Sequence, residues 1–222
     1  MKLSESKTLK NSPYRVIIGD AKNIPSSISA TDKKLFSAFL KKDSDFKVIN
    51  ELESSIFLVK YNKDAEKNRV SGAKIREVLN KDVKEIAFLG DKKYTFDLLE
   101  GFLLSSYQFL KYFKDKEKKE YKLKNLLVED SFGDKAIGEL FDITTAVFWA
   151  RDMVNEPVSF LNAEQFAEEI AALASDAKLE STTLEKAQIE ALKMGGLLSV
   201  NKGSIDPPTF SIVEYNPKNA KN

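Results

Sequence analysis

Short apolar runs alternate with amphipathic stretches over the first 130 residues, and this alternation constrains the fold more than any other feature. Consecutive parallel strands need a long crossover between them, which is usually a helix, so the rhythm predicts a mostly parallel sheet with helices on its faces. Gly72 weakens one of these helices by about 1 kcal/mol relative to alanine. The predicted strands are 14–20, 54–62, 84–91 and 122–130, and the predicted helices are 32–42, 66–81 and 95–113.

The third of these helices, 95–113, carries Tyr107 and Tyr112 on either side of Phe109. We expect these aromatic rings to pack rather than to form a site.

The middle of the chain changes character after a short polar break at 131–135. A helical pattern covers about twenty residues from Ala136, and its apolar stripe indicates core packing or a helix between two domains rather than a cofactor site. Asn155-Glu156-Pro157 ends this helix, because proline disfavours helical geometry at the residue before it. Asn162 and Gln165 then form the capping-box-like start of a helix over 163–175.

The last 45 residues are predicted to contain a strand, a helix, a loop and a final strand. Residues 180–196 are read as a strand followed by a helix that closes at Gly195-Gly196. Residues 199–208 form a predicted loop, and 209–216 predict a final, buried parallel strand.

Composition excludes several kinds of chemistry. The chain has no histidine and no cysteine, which excludes Ser-His-Asp and Cys-His triads, thiolate or histidine metal sites, and disulfides. A net charge of +1 argues against a dedicated polyanion-binding protein. The sequence contains neither a signal peptide nor the roughly 20-residue apolar run that crosses a bilayer. We therefore expect a soluble, cytoplasmic protein without membrane contact.

No active site emerges from the residues themselves. The glycines of "KMGGLLSVNKGS" match neither dinucleotide-binding nor P-loop spacing. Glu164 and Glu168 share a helix face beside Phe166 and Ile170, which we expect to be buried, so a solvated face is favoured over a metal-binding pair. The lysine-rich segment 111–124 is interleaved with acidic residues and is predicted to be a solvated helix end and loop rather than a nucleic-acid patch.

Three ordered blocks nevertheless resemble the leucyl aminopeptidase family, the cytosolic two-metal exopeptidases. The segment "ARDMVNEPVSFLNAEQFAEE" is similar to the start of that family's catalytic domain, and "EALKMGGLLSVNKGSIDPPTFSIVEYN" is similar to a later passage of the family. The third block, "EGFLLSSYQFLKY", resembles a helix of its N-terminal domain. Lys193 and Ser199 stand where family members commonly have glycine. The resemblance covers residues 98–114 and 146–216. Its matched positions are Ala150, Arg151, Asp152, Val154, Asn155, Glu156, Pro157, Met194, Gly195, Gly196, Leu197, Leu198, Gly203, Ser204, Pro207, Pro208, Glu214 and Tyr215.

The resemblance implies an α/β fold in three parts. These are a macro-domain-like N-terminal α/β domain over 1–132, a linking helix over 133–156, and the first elements of a second α/β domain, the catalytic one, over 157–222. It also implies a full-length enzyme that removes N-terminal residues from peptides and works as a hexamer. Two divalent metals, Zn²⁺ or Mn²⁺, bound by Lys, Asp and Glu, would activate water for that reaction.

The family's first metal ligands belong to a Gly-Lys-Gly…Phe-Asp-Thr-Gly-Gly motif, which this sequence does not contain. We therefore assign no catalytic, cofactor-binding or metal-binding residue. The sequence predicts a truncated or proteolysed piece of a longer enzyme that is inactive alone and supplies scaffold and intersubunit surface. A standalone binding module for a nucleotide-like ligand or DNA, and an assembly partner of a longer paralogue, remain alternatives.

Overall fold

The computed structural model describes residues 2–5, 9–129 and 133–217. The chain divides into two compact units, Met1–Trp149 and Ala150–Asn222. Each unit has its own sheet. In the described part of the chain, no helix combines the length and the apolar character that a membrane span requires.

The first unit contains a six-stranded sheet. Its order is β1-β6-β5-β2-β4-β3, and every neighbouring pair is parallel except β3–β4. The four predicted strands are confirmed as β2, β4, β5 and β6, whereas β1 and the edge strand β3 were not predicted. The strands are β1 (Lys2–Glu5), β2 (Tyr14–Gly19), β3 (Phe46–Asn50), β4 (Ser55–Lys60), β5 (Glu85–Leu89) and β6 (Asn125–Val128).

Both faces of this sheet are covered, which explains the continuous apolar runs. Val16 and Ile18 of β2 point into a core that includes α2, α3 and part of α5, whereas Ile17 points into a second core with Phe36 and Phe39 of α1. The helices are α1 (Ala30–Leu40), α2 (Ala65–Val78), α3 (Lys92–Leu104), the short α4 (Lys116–Lys119) and α5 (Asp134–Asn155).

Side-chain caps fix where the first three long helices begin. Ser29, Asp64 and Asp91 each accept a hydrogen bond from a backbone N–H two or three residues further on. Such caps satisfy donors that a helix start leaves unpaired.

The prediction that one helix covers 95–113 is wrong beyond Leu104. The N–H of Ser105 donates to Gly101, and the Ser106 hydroxyl donates to the Phe102 carbonyl at 2.8 Å, so the end of α3 is satisfied locally. Residues 107–113 form no helix. Tyr107 packs edge-on to Phe148, with 5.2 Å between the ring centroids. Tyr112 is exposed, but its ring packs against Phe109 with 5.8 Å between the centroids.

The second unit has a two-stranded antiparallel sheet, β7–β8. The helix α5 ends at Asn155, as the Asn-Glu-Pro sequence predicted, and Asn162 caps the next helix through the Gln165 N–H at 2.9 Å. The elements are α6 (Ala163–Asp176), β7 (Glu180–Leu184), α7 (Lys186–Ala191), α8 (Gly195–Asn201) and β8 (Phe210–Glu214).

Three predictions for this unit are wrong, in whole or in part. Gly195 and Gly196 begin α8 rather than close a helix, because α7 ends at Ala191 and Lys193 adopts the left-handed conformation with φ 54°. The helix α8 also occupies the start of the predicted 199–208 loop. The final strand β8 is antiparallel and mostly exposed, not buried and parallel, since it pairs with β7.

Candidate functional sites

The carboxyl ends of β2 and β5 form the first candidate site. These strands are neighbours at the point where the strand order reverses, with β4 and β3 on one half of the sheet and β6 and β1 on the other. Ligands of open α/β sheets bind at such a switch point. Asp20 follows β2 directly, and Gly90 and Asp91 follow β5. Two Gly-Asp pairs therefore end adjacent parallel strands.

Asp20 is the centre of a hydrogen-bond cluster at this edge. Its Oδ1 accepts from the backbone N–H groups of Lys22 and Asn23 at 2.8 and 2.9 Å. Its Oδ2 accepts from the Tyr94 hydroxyl at 3.3 Å, and that hydroxyl accepts from the Asn23 amide at 2.6 Å. Burial by itself would raise the pKa of Asp20, but these hydrogen bonds outweigh it and lower that pKa.

Burial, followed by the nearby Asp20 carboxylate, raises the pKa of Tyr94. The Tyr94 ring also lies against Tyr61, with 4.1 Å between the ring centroids. On the other side of the edge, Glu129 accepts hydrogen bonds from the Gly90 N–H, at 3.1 Å, and from the Ser27 hydroxyl. The polar groups of the edge are thus paired with one another, which suits recognition or structural support rather than nucleophilic chemistry.

Sequence reasoning missed this cluster. Asp20 and Tyr94 are 74 positions apart, and only the sheet order brings them together. The available signal was the pair of Gly-Asp dipeptides at the ends of two predicted parallel strands.

A groove of about 580 Å³ in the second unit is the other candidate. Glu164 and Glu168 of α6 line it and are both solvent-exposed, as predicted. Glu185, Lys186 and Glu190 also contribute to the wall. The expected burial of Phe166 is wrong, since 42% of that residue is exposed.

Neither candidate site fits a pair of divalent metals. Within residues 2–5, 9–129 and 133–217, no group of three or more acidic side chains is arranged to hold a metal ion.

The motif residues that carry the family resemblance lie at the end of α5. The Asn155 amide donates to the Arg151 carbonyl at 2.8 Å, and the Glu156 N–H donates to the Asp152 carbonyl at 3.0 Å. The Pro157 carbonyl then accepts from the N–H groups of Phe160 and Leu161, each at 2.9 Å. These bonds shape the turn between α5 and α6.

Lys-rich segment 111–124 is exposed over 111–120, in agreement with the predicted solvated region. Lys119 pairs with Asp115 at 3.3 Å. The Lys122 ammonium donates to the Glu117 carbonyl at 2.8 Å. Several of its charges are thus used within the segment.

Comparison with known proteins gives matches in sequence. Residues 148–222 match the family model described as "Cytosol aminopeptidase family, catalytic domain". A probable cytosol aminopeptidase of Desulforapulum autotrophicum is 35% identical over 150 residues, which cover 64% of this chain and 29% of that relative. One of Chloroherpeton thalassium is 50% identical over 76 residues, which cover 34% of this chain and 15% of the relative.

Solved structures share the fold. A tomato leucine aminopeptidase mutant matches with a TM-score of 0.71 and 17% identity, covering 94% of this chain and 49% of that one. The cytosol aminopeptidase from Coxiella burnetii matches with a TM-score of 0.69 and 17% identity, covering 98% of this chain and 47% of that one. The bottromycin maturation enzyme BotP in complex with Mn matches with a TM-score of 0.70 and 20% identity, covering 93% of this chain and 46% of that one.

The chain therefore spans less than a third of the two curated relatives and about half of these solved chains. The predicted resemblance is confirmed by the family model, and the mixed α/β fold agrees with it. On these grounds residues 148–222 match the catalytic domain of the cytosol aminopeptidase family in sequence, and the chain as a whole resembles the leucyl aminopeptidases in fold.

Proposed function

We propose that this chain is the N-terminal portion of a leucyl aminopeptidase. In this proposal residues 1–132 form a macro-domain-like α/β domain, 133–156 a linking helix, and 157–222 the first elements of the catalytic domain. The observation that carries the proposal is the catalytic-domain match at 148–222. The α/β sheet of the first unit and the partial coverage of the relatives support it.

The full-length protein, in this proposal, hydrolyses N-terminal residues from peptides in the cytoplasm. It works as a hexamer with two divalent metals, Zn²⁺ or Mn²⁺. The names of the curated relatives support the activity and the compartment, and the Mn²⁺ complex of BotP supports the metal class. The metal ligands are proposed to lie outside this segment, because the sequence has no Gly-Lys-Gly…Phe-Asp-Thr-Gly-Gly motif.

The 222-residue chain is proposed to be inactive alone and to provide scaffold and intersubunit surface. The test is hydrolysis of leucine 4-nitroanilide by the purified chain with added MnCl₂ or ZnCl₂. The comparison is the product of the coding sequence read onward from Asn222. We expect turnover by the longer product and none by this chain.

Contaminating host aminopeptidase is the main source of error. Activity must therefore co-elute with the protein in size-exclusion chromatography and disappear with a chelator. Metal-dependent turnover that co-elutes with the 222-residue chain would contradict its inactivity. An immediate stop codon after Asn222 would contradict the fragment proposal.

A second candidate function is a standalone binding or assembly module. The Asp20–Tyr94 cluster at the switch point is the observation in its favour. The balanced charge and the lack of a glycine-rich ligand loop speak against a nucleotide or DNA ligand. Two experiments would distinguish a nucleotide-like ligand, DNA and a longer paralogue as partners. One is thermal shift with ADP-ribose and with duplex DNA, and the other is co-purification with a longer paralogue. No shift and no co-purification would exclude this alternative.

A further inference from the structure

The guanidinium of Arg76 is enclosed in the first unit. Arg76 lies in the last turn of α2 and is 2% exposed. Its Cζ lies 3.8 Å from the centroid of the Tyr121 ring and 5.8 Å from that of Phe102. Its Nη2 donates to the Leu79 carbonyl at 3.0 Å. Two aromatic rings and one backbone carbonyl therefore hold the group in a fixed position.

Arg76 differs from two other arginines in its partners. The Nε–H of Arg15 donates to Asp32 at 3.1 Å, and that of Arg69 donates to Glu100 at 2.8 Å. The Nε–H of Arg76 is buried and has no acceptor in the described part of the chain. Burial lowers the pKa of Arg76, and the contact with Tyr121 offsets part of this effect.

Burying such a guanidinium costs free energy of folding unless its N–H groups have acceptors and its charge has a partner. A buried N–H without an acceptor loses its hydration without compensation, and a buried charge without a counter-charge loses more. Arginine remains protonated at any physiological pH. An oxyanion beside Arg76 would supply the missing negative charge.

A groove of about 520 Å³ lies at this position, and Arg76 forms part of its wall. Val70 and Ala73 of α2 give it an apolar side, and Tyr121 contributes a ring. Lys74 and Glu77 also line the groove, and both are exposed. We name this space the Arg76 groove.

We propose that the Arg76 groove binds a small organic anion with a carboxylate or phosphate head group. An oxygen of the head group lies beside the Arg76 guanidinium and compensates its charge. The apolar part of the ligand lies along Val70, Ala73 and the Tyr121 ring. The Lys74 ammonium attracts the anion, and the Glu77 carboxylate opposes it. This site is independent of the proposed aminopeptidase activity.

The experiment is a titration of the full chain followed by the arginine Nε–Hε resonances in ¹⁵N NMR. The sequence contains four arginines, so each resonance can be assigned by substitution. Sodium isobutyrate and sodium phosphate are the two probes, and sodium chloride at equal ionic strength is the control. We expect a saturable shift of the Arg76 resonance with a dissociation constant of about 1–10 mM. The Arg15 and Arg69 resonances, already bonded to carboxylates, serve as internal references.

The probe that binds more tightly identifies the head group as carboxylate or phosphate. An Arg76 resonance that stays still with both probes, or that moves equally with chloride, would overturn the proposal.

Two charge variants provide a matched pair on exposed positions of α2. Lys74→Gln is expected to weaken binding about threefold, and Glu77→Gln to tighten it about threefold, because each changes the charge beside the groove by one unit. Equal affinities in the two variants would show that binding occurs elsewhere and would also overturn the proposal. Both readings come from proteins that keep Arg76, so they do not depend on an Arg76 variant folding.

Discussion

Gly72 of α2 and Gly101 of α3 form a reciprocal contact between two helix backbones. A Cβ atom on Gly72 would lie 2.0 Å from the Leu98 carbonyl oxygen, and one on Gly101 would lie 2.0 Å from the Arg69 carbonyl oxygen. Both distances are far below van der Waals contact. The two helices can pack this closely only because neither residue has a side chain.

The first prediction is that Gly72→Ala destabilises the protein, although alanine has the higher helix propensity. The propensity gain of about 1 kcal/mol is smaller than the cost of separating two packed backbones, so we expect a net loss of about 2–4 kcal/mol. Denaturant unfolding measures the change. The control is Gly138→Ala in α5, where a Cβ meets no atom within 4 Å, and which should gain about 1 kcal/mol. A stabilised Gly72→Ala variant would contradict the close packing.

The second prediction concerns the ion pair between Arg15 and Asp32. Asp32 is 2% exposed and accepts from Arg15 Nη2 at 2.9 Å and from Nε at 3.1 Å. Asp32→Asn leaves a largely buried guanidinium without its counter-charge, and should lower the free energy of unfolding by about 3 kcal/mol. Asp115→Asn, which breaks an exposed pair with Lys119, should change it by less than about 0.5 kcal/mol. Similar losses in the two variants would be inconsistent with this explanation.

The third prediction is a pH dependence at the switch point. The pKa of Asp20 is lower in the folded chain than its ordinary 3.8. The ionised carboxylate therefore contributes its full stability above pH 3.8, and this contribution is lost as the pH falls through the folded pKa. The stability difference between wild type and Asp20→Asn should shrink over that acid range. A difference that stays constant to low pH would argue against the hydrogen-bonded carboxylate.

Tyr94→Phe tests the same cluster by another route. It removes the hydroxyl that donates to Asp20 Oδ2, so the pKa of Asp20 should rise relative to wild type. A carbon-detected NMR titration of the aspartate carboxyl groups measures this shift directly. An unchanged Asp20 pKa would mean that the backbone N–H groups of Lys22 and Asn23 and the Asn23 side-chain amide carry the effect without Tyr94.

The fourth prediction follows from the backbone of Lys193, which has φ 54° at the end of α7. The left-handed region costs an ordinary residue about 1 kcal/mol and glycine little, so Lys193→Gly should stabilise the second unit by about that amount. Lys202→Gly is the control, because Lys202 ends α8 in the right-handed region with φ −54°. It should be neutral or destabilising. Hydrogen exchange of the backbone amides in α7 and α8 measures the stability change in each variant.

Local sequence predicted most elements of the first unit. The run around Val16 and Ile18 has apolar residues on consecutive positions, which is typical of a strand covered on both faces, and the structure covers both. Predictions failed where the spacing of apolar residues did not by itself decide where an element ends or whether it is buried. Residues 107–113 have apolar residues at helical spacing, but the hydroxyl of Ser106 satisfies the end of α3 earlier. The apolar strand β8 was misjudged because burial depends on which elements cover it.

The candidate sites were less predictable than the fold. Resemblance located the family because its motif is contiguous around Asn155 and Pro157. The Asp20–Tyr94 cluster and the Arg76 groove join residues from distant elements, and no spacing within one segment signals them.

By itself, the sequence determined four strands and three helices of the first unit and the stop at Pro157, and it excluded the chemistry that needs histidine or cysteine. These properties depend on each residue and its near neighbours, through backbone sterics, capping and side-chain composition. Only the tertiary structure decided that Gly72 faces Gly101, that Tyr94 reaches Asp20, and that Tyr121 covers Arg76. Those contacts depend on how separate elements pack, because dense packing and hydrogen bonding act between residues that the chain itself keeps far apart.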